Sequence, residues 1–233
     1  PPWRTIVVLA ATLFGGNYAL TYYAETGLAS GLVAVLFGTL PFFVFAIGAL
    51  RLGERVGVMT IAGALIALGG VAAISIGSEM RGSLPYVLAI LGAAAISAYA
   101  TVELKKFAAS DPFRTLPPAM LLAGLTMTVA GATFEHPDWA RGTSPSSIGA
   151  ILYLAVLGSA VAFYLNHWLL QRLETWVVGL STLVIPVIAV AAGALLGGEA
   201  FGIKELGGAA MVIVGVWLAL RAPRAVALSE PNL

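Results

Sequence analysis

The sequence contains no cysteine and very little charge. Within its 233 residues, the lack of cysteine excludes disulfide bonds, zinc–thiolate sites and cysteine-ligated iron–sulfur clusters. Only 10% of the residues are charged, whereas a soluble domain of this length carries about 25%. The formal net charge of +1 gives no reason to expect a nucleic-acid partner. Much of the surface must therefore face a medium other than water, and lipid is the expected one.

Histidines are also few, and acidic residues are absent from the middle of the hydrophobic segments. The two histidines, His136 and His167, lie too far apart to form a local metal motif, and HExxH is absent. Glu103 and His167 are the only ionisable candidates for proton coupling, and we expect both at the wet interface. No carboxylate falls deep in a hydrophobic run, so proton antiport is not supported. The sequence predicts no enzyme active site, no metal and no cofactor.

What is present is hydrophobic: 60% of the residues, with a mean hydropathy of +0.97. A bilayer core about 30 Å thick needs about 20 apolar residues in a helix. Eight segments have that length and predict an all-α membrane protein. They lie near 4–24, 30–50, 57–77, 84–105, 115–134, 147–170, 176–197 and 203–221.

The basic residues are divided unequally between the two sets of alternating connections. One set holds nine of the 12 basic residues: Arg4, Arg51, Arg55, Lys105, Lys106, Arg114, Arg172, Arg221 and Arg224. The other set holds Arg81, Arg141 and Lys204. Because cytoplasmic loops carry the excess of Lys and Arg, residue 1 and the C-terminus are predicted to be cytoplasmic.

An internal repeat becomes visible when the sequence is shifted by 145 residues. Pro41 then aligns with Pro186, and Gly53-Glu54 with Gly198-Glu199, within a stretch of 31 positions that contains 12 identities. Five helices separate equivalent points. Since five is odd, the two copies run in opposite directions across the membrane, which is typical of transporters.

The repeat divides the chain into three parts. Residues 1–78 hold the last three helices of the first copy, 79–223 hold a second copy of five helices, and 224–233 form a cytoplasmic tail. Because the second copy has two helices more, we expect a parent of ten helices, of which eight are visible here.

The repeated segments resemble the EamA domain of the drug/metabolite transporter superfamily. The resemblance rests on Gly31 through Pro41, Leu52-Gly53-Glu54-Arg55, Gly63 through Val71, Gly179 through Pro186, Gly198-Glu199, Gly208 through Gly215 and the run Ile96–Ala100. It implies a ten-helix carrier of the inner membrane with a central cavity, often an exporter of amino acids, other metabolites or drugs. In this family the first helix lines the cavity, so the resemblance implies an incomplete substrate site here.

Two prolines are candidate hinges. Pro41 and Pro186 occupy equivalent positions of the repeat, and each leaves the carbonyl four residues earlier without its helical partner. The carbonyls belong to Phe37 and Thr182. The interruption predicts a kink, a hinge or an acceptor that faces a cavity.

Aromatic and polar residues in mid-helix are candidate substrate ligands, since rings hold apolar or cationic groups. The candidates are Tyr18, Tyr22, Thr39, Tyr99, Tyr164, Asn166, Trp168 and Ser181. The alternative for Tyr22, Tyr23 and Trp168 is an aromatic belt at the interface. The alternative for the hydroxyls is a bond to the preceding helical turn.

Glycine and glutamate at the helix borders are interpreted structurally. Glu54 and Glu199 are expected to begin the helices that follow them, where a carboxylate favours the positive end of the dipole. The glycine-rich faces allow close helix packing within the chain, with a homodimer seam as the weaker alternative; they comprise Gly63, Gly69 and Gly70 on one helix and Gly207, Gly208 and Gly215 on the other.

The leading interpretation is thus a carrier of small organic molecules in the lipid bilayer, and the alternative is a non-transporting scaffold or lipid-handling protein on the same fold.

Overall fold

The structure, a computed structural model, describes residues 3–28, 30–75, 84–107, 111–134, 143–188, 191 and 202–221. In this part of the chain all regular structure is helical, as the sequence predicts. The helices are α1 Trp3–Glu25, α2 Ser30–Phe37 continued by Leu40–Leu52, α3 Val58–Ser75, α4 Leu84–Lys106, α5 Pro112–Phe134, α6 Pro145–Leu170, α7 Thr175–Ile188 and α8 Ile203–Arg221.

Seven of the eight described helices are long and apolar enough to cross a membrane by length and composition. The exception is α7, because most of its predicted second half lies outside the described residues. Other sequence-based expectations also fall outside them, namely those on Arg81, His136, Arg141, Gly198, Glu199, Arg224 and the tail 224–233.

Successive helices run in alternate directions, as contacts between their ends indicate. At one end Arg51 pairs with Glu103 at 3.4 Å, and the Thr60 hydroxyl donates to the Ala219 carbonyl at 3.3 Å. We call this the basic end, because eight of the nine basic residues of the larger set lie on helix ends or connections there and the ninth lies outside the described part. Tyr86, at the start of α4, marks the opposite end. This grouping agrees with the alternation predicted from the loops.

α4 lies at the centre of the described helices and α6 at their edge. Half of the apolar window of α4 is buried, whereas no residue of the α6 window is. Small residues let the neighbours of α4 approach, since Ala93, Ala94 and Ala98 are fully buried. α1 packs against α4 and α5, and α2 packs against α4 and α7.

Helices α3 and α8 pack backbone to backbone along glycines. A Cβ atom on Gly63 would lie 2.5 Å from the Gly215 carbonyl oxygen, and one on Gly70 would lie 2.5 Å from that of Gly208. Only glycine permits this distance. The glycine faces are therefore used within the chain, and these four residues do not offer a homodimer seam.

Both candidate hinge prolines follow a break in their helix. α2 is interrupted at Gly38 and Thr39 and resumes at Leu40, one residue before Pro41. α7 passes through a 3₁₀ turn at Ser181–Leu183 and resumes before Pro186. The predicted interruptions are present in both helices, because proline cannot donate the helical bond and its ring displaces the preceding turn. A hinge motion at these breaks stays a prediction.

The expectation for Glu54 was wrong about the helix it serves. α3 begins at Val58, and Glu54 lies in the non-helical connection before it. Gly53 ends α2 with a φ of 69°, a left-handed conformation that redirects the chain. The Glu54 carboxylate consequently meets the first turn of α7, where it accepts from the Thr175 amide at 2.9 Å. The carboxylate therefore does lie at the positive end of a helix dipole, as expected, but the helix is α7 of the second copy and not α3.

Candidate functional site

Two helices contain a π-helical turn at equivalent positions of the repeat. In α1 the turn covers Ala10–Gly16, and in α6 it covers Leu154–Val161. The widened bonding is seen in the Asn17 amide, which donates to the carbonyl of Thr12 five residues earlier. A π turn inserts an extra residue into the helix and often marks a functional site, because it displaces side chains and loosens the bonding of carbonyls.

A cavity of about 390 Å³ lies between α1, α5 and α6, beside both π-helical turns. Most of its lining comes from the middle of the three helices, and Tyr22 lies near the end of α1. The lining residues are Phe14, Tyr18, Tyr22, Met120, Ala123, Gly124, Met127, Leu154, Gly158, Ser159 and Phe163.

Equivalent positions of the two repeat copies meet in this cavity. With the shift of 145 residues, Phe14 corresponds to Ser159, and Tyr18 corresponds to Phe163. All four residues line the cavity, and the Phe14 and Phe163 rings pack edge to face with their centroids 4.8 Å apart. In each helix the two positions are four residues apart and so share a face. The cavity therefore lies where the two copies face each other.

The chemistry of the described lining is aromatic, sulfur-containing and uncharged. Phe14, Tyr18, Tyr22 and Phe163 supply rings, and the thioethers of the two methionines adapt to irregular shapes. The side-chain hydroxyls of Tyr18, Tyr22 and Ser159 are the polar groups among these residues. Such a lining favours an aromatic or apolar guest, and a carboxylate or ammonium group would lose its hydration without an opposite charge to replace it.

Two of the predicted ligands, Tyr18 and Tyr22, line this cavity with stacked rings 6.1 Å apart. Tyr164 and Trp168 instead line a second cavity of about 270 Å³ near the basic end. There the Tyr164 ring lies 5.5 Å from that of Phe113, and the Arg172 guanidinium lies 4.0 Å above the Trp168 ring.

His167 also lines the second cavity, and its exposure differs from the sequence expectation. The residue was expected at the wet interface, but 0% of its surface is exposed. Its burial follows from helix geometry, since position 167 of α6 faces inward, next to the buried Leu170 on the same face.

The remaining predicted ligands lie apart from both cavities. The Tyr99 ring has the Arg51 guanidinium 5.5 Å from its centroid, at the basic end. The Thr39 hydroxyl donates to the Leu36 carbonyl at 2.6 Å, and the Ser181 hydroxyl to the Val178 carbonyl at 2.7 Å. Both hydroxyls thus donate a hydrogen bond to the preceding helical turn, which is the alternative to substrate contact given above. Asn166 is half-buried on α6. Substrate contact by any of these residues stays a prediction.

Sequence reasoning missed most of the cavity lining. Phe14, Met120 and Met127 belong to types that fill any membrane interior, and Ser159 is flanked by Gly158 and apolar residues. A signal was available in the repeat, because the shift that aligns the prolines also aligns Tyr18 with Phe163. Pairing equivalent positions across the copies would have brought the two helix faces together.

Comparisons with known proteins agree with this architecture. The model of the EamA-like transporter family matches residues 1–76 and 84–221. A relative from Salmonella typhimurium, Protein PagO, is 29% identical over 94% of this chain and 74% of its own length. A probable amino-acid metabolite efflux pump from the same organism is 26% identical, over 93% and 76%.

Two further comparisons concern location and fold. The uncharacterized inner membrane transporter YedA of Escherichia coli K12 is 28% identical over 85% of this chain and 66% of its own length. A solved crystal structure superposes with a TM-score of 0.83 over 94% of this chain and 76% of the other, at 21% identity. At that identity the superposition shows the fold alone.

Proposed function

The chain belongs to the EamA-like transporter family, and from that premise we propose that it is a secondary carrier that exports small organic molecules by alternating access. Membership of this family makes it a multi-pass membrane transporter and not an enzyme. Alternating access requires two halves that exchange inward-open and outward-open shapes around one fixed site.

The observation that carries the proposal is the cavity between α1 and α6, lined by equivalent positions of the two copies. In carriers with inverted repeats the substrate site lies at the repeat interface, near the middle of the membrane. We assign the first copy to 1–78 and the second to 79–223. Their inverted relation is supported by α2 and α7, because the end of α2 at Gly48 lies against the start of α7 at Thr175.

The uncharged lining limits the substrate class. Four aromatic rings and two methionines suit an aromatic metabolite or a drug-like molecule with delocalised charge, which rings bind by stacking or cation–π contact. A small polar amino acid carries both an ammonium and a carboxylate group and has little apolar surface, so this lining suits it poorly. We therefore propose aromatic and lipophilic compounds as substrates, ahead of polar amino acids.

The proposed direction and location draw on the relatives and on the charge distribution. One relative is named as an efflux pump and another as an inner membrane transporter, which supports export across the inner membrane. The basic end is assigned to the cytoplasm, together with residue 1 and the C-terminus, by the excess of Lys and Arg. Pro41 and Pro186 are proposed as the hinges of the motion.

A panel of ligands tests the proposed substrate class. We expect indole, a neutral aromatic compound, and tetraphenylphosphonium, a lipophilic cation, to raise the thermal unfolding temperature of the detergent-purified chain, whereas L-serine should not. A ligand at 100 times its Kd adds about 2.7 kcal/mol to the free energy of unfolding. A compound that binds is then loaded into proteoliposomes, and its flux across the membrane is measured.

Two tryptophan variants of α6 provide a matched control. Gly158→Trp fills the cavity and should abolish both the thermal shift and the flux. Gly149→Trp lies on the same helix with no atom within 4 Å of its Cβ position, and it should retain both. Shifts that persist in Gly158→Trp contradict this site. Shifts produced by phospholipids alone, without flux of any panel compound, would favour the lipid-handling alternative.

A further inference from the structure

The turn between α6 and α7 is held by two charged side chains, one from the α2–α3 connection and one from the end of α4. Glu54 extends from the end of α2, and its carboxylate accepts three hydrogen bonds from the start of α7. The donors are the Thr175 amide at 2.9 Å, the Thr175 hydroxyl and the Trp176 amide at 3.4 Å. A carboxylate in this position satisfies amides that have no helical partner and interacts favourably with the positive end of the helix dipole.

The opposite charge lies on the other side of the same turn. Lys105, at the end of α4, donates to the carbonyls of Leu170 and Leu173, the latter at 2.7 Å. These carbonyls lie at the end of α6 and just beyond it, where a cation complements the negative end of the dipole. An acid at the start of α7 and a base at the end of α6 therefore fix residues 171–174 from both directions.

Glycines make room for the Glu54 contact. The left-handed Gly53 turns the chain at the end of α2, and the amides of Gly53 and Glu54 both return to the Gly48 carbonyl. A Cβ atom on Gly48 would lie 3.1 Å from the Thr175 hydroxyl oxygen and 3.2 Å from a Glu54 carboxylate oxygen. The Gly53-Glu54 motif thus has a specific role, since its carboxylate contacts the first turn of α7.

Between the cavity and the basic end lies a buried layer of leucines, to which the helices joined by this turn contribute. Leu9, Leu104, Leu116 and Leu170 come from α1, α4, α5 and α6, and all are at most 4% exposed. They share one buried cluster with Phe14, which also lines the cavity, and with Val178 of α7. Along α1, α5 and α6 the leucine lies closer to the basic end than the cavity residues of the same helix do. Removing Leu170 and Val178 from this layer would open the cavity to that end.

We propose that Glu54 and Lys105 brace the α6–α7 turn and thereby keep the leucine layer closed, and that substrate passes the basic end only when both contacts are released. The brace rests on the proposed alternating access, but its test uses no substrate. Failure of the ligand panel and failure of the brace are therefore separate results.

The test measures the accessibility of the cavity from one side of the membrane. Because the sequence has no cysteine, Ser159→Cys places a single thiol in the cavity. The protein in proteoliposomes is treated with a membrane-impermeant maleimide on the basic side or on the opposite side. We expect Glu54→Gln to raise the labelling rate from the basic side about tenfold, the population shift given by the loss of one charge-assisted hydrogen bond. Labelling from the opposite side should not rise.

Further variants separate the brace from general destabilisation. Thr175→Val removes only the hydroxyl donor and should produce a smaller increase of the same sidedness, which keeps the test available if Glu54→Gln does not fold. Thr175→Ser keeps the donor and should match the parent. Lys105→Met should act in the same direction as Glu54→Gln, whereas Glu25→Gln, at an exposed carboxylate of the opposite end, should have no effect. Equal increases from both sides, or unchanged labelling in folded Glu54→Gln, would overturn the proposal.

Discussion

Gly48 has no side chain at the point where α2 passes the first turn of α7, and two polar groups occupy the space that a side chain would need. Its immediate surroundings are the Thr175 hydroxyl and the Glu54 carboxylate. Neither group can withdraw freely, because they are bonded to each other. A methyl group at this position would therefore press on both the donor and the acceptor of one hydrogen bond, so glycine is favoured for electrostatic as well as steric reasons.

Replacement of Gly48 by alanine should weaken the protein, and replacement of Gly124 should not. Gly48→Ala is expected to lower the free energy of unfolding by about 1–3 kcal/mol, the usual cost of adding a methylene to a packed site. Gly124→Ala, with no atom within 4 Å of its Cβ position, should be neutral or slightly stabilising. Thermal unfolding of both variants in the same detergent makes the comparison. Equal behaviour of the two would show that the polar pair adapts to the methyl group.

At the scale of helices, the glycine positions were predictable from the sequence but their partner was not. The repeat aligns Gly63 with Gly208 and Gly70 with Gly215, which indicates a smooth face on each helix. A glycine face can pack closely against any other glycine face, in the same chain or in a second copy. The structure pairs them crosswise, Gly63 with Gly215 and Gly70 with Gly208, because α3 and α8 run antiparallel.

The crosswise pairing predicts which glycines of α3 and α8 tolerate alanine. Gly63→Ala and Gly208→Ala should destabilise the helix pair, because their Cβ atoms would lie 2.5 Å and 2.8 Å from backbone oxygens of the facing helix. Their controls are close neighbours on the same helices. Gly207→Ala meets no atom within 4 Å, and Gly69→Ala meets only a flexible methionine at 3.4 Å. Lower thermal stability of the control variants than of Gly63→Ala would contradict the pairing.

At the scale of the molecule, the sequence predicts the membrane-spanning helices, which depend on the lipid solvent. It does not predict the cavity, which depends on how the helices pack. Lipid demands long apolar helices, so the spans follow from hydropathy, and proline predicts the breaks before Pro41 and Pro186. The cavity is different, because Phe14, Met120 and Ser159 lie on three helices, and neither an apolar residue nor a single serine hydroxyl in a membrane helix indicates a cavity by itself. Tyr99 illustrates the converse, since a conspicuous aromatic residue in mid-sequence of α4 lies beside Arg51 and away from the cavity.

The orientation of the whole molecule is the last property that the charge distribution predicts, and it determines the role of the brace. Nine basic residues against three favour insertion with the basic end in the cytoplasm. Single-cysteine variants of the cysteine-free chain measure this. An impermeant maleimide added to intact cells should label Thr26→Cys, between α1 and α2, whereas Gln171→Cys should react only after the cells are permeabilised. The reverse pattern would place the brace outside, and equal labelling of both would indicate dual insertion. In the proposed export cycle with the predicted orientation, substrate enters from the side that the proposed brace of Glu54 and Lys105 closes. The proposal then requires release of the brace before substrate binds.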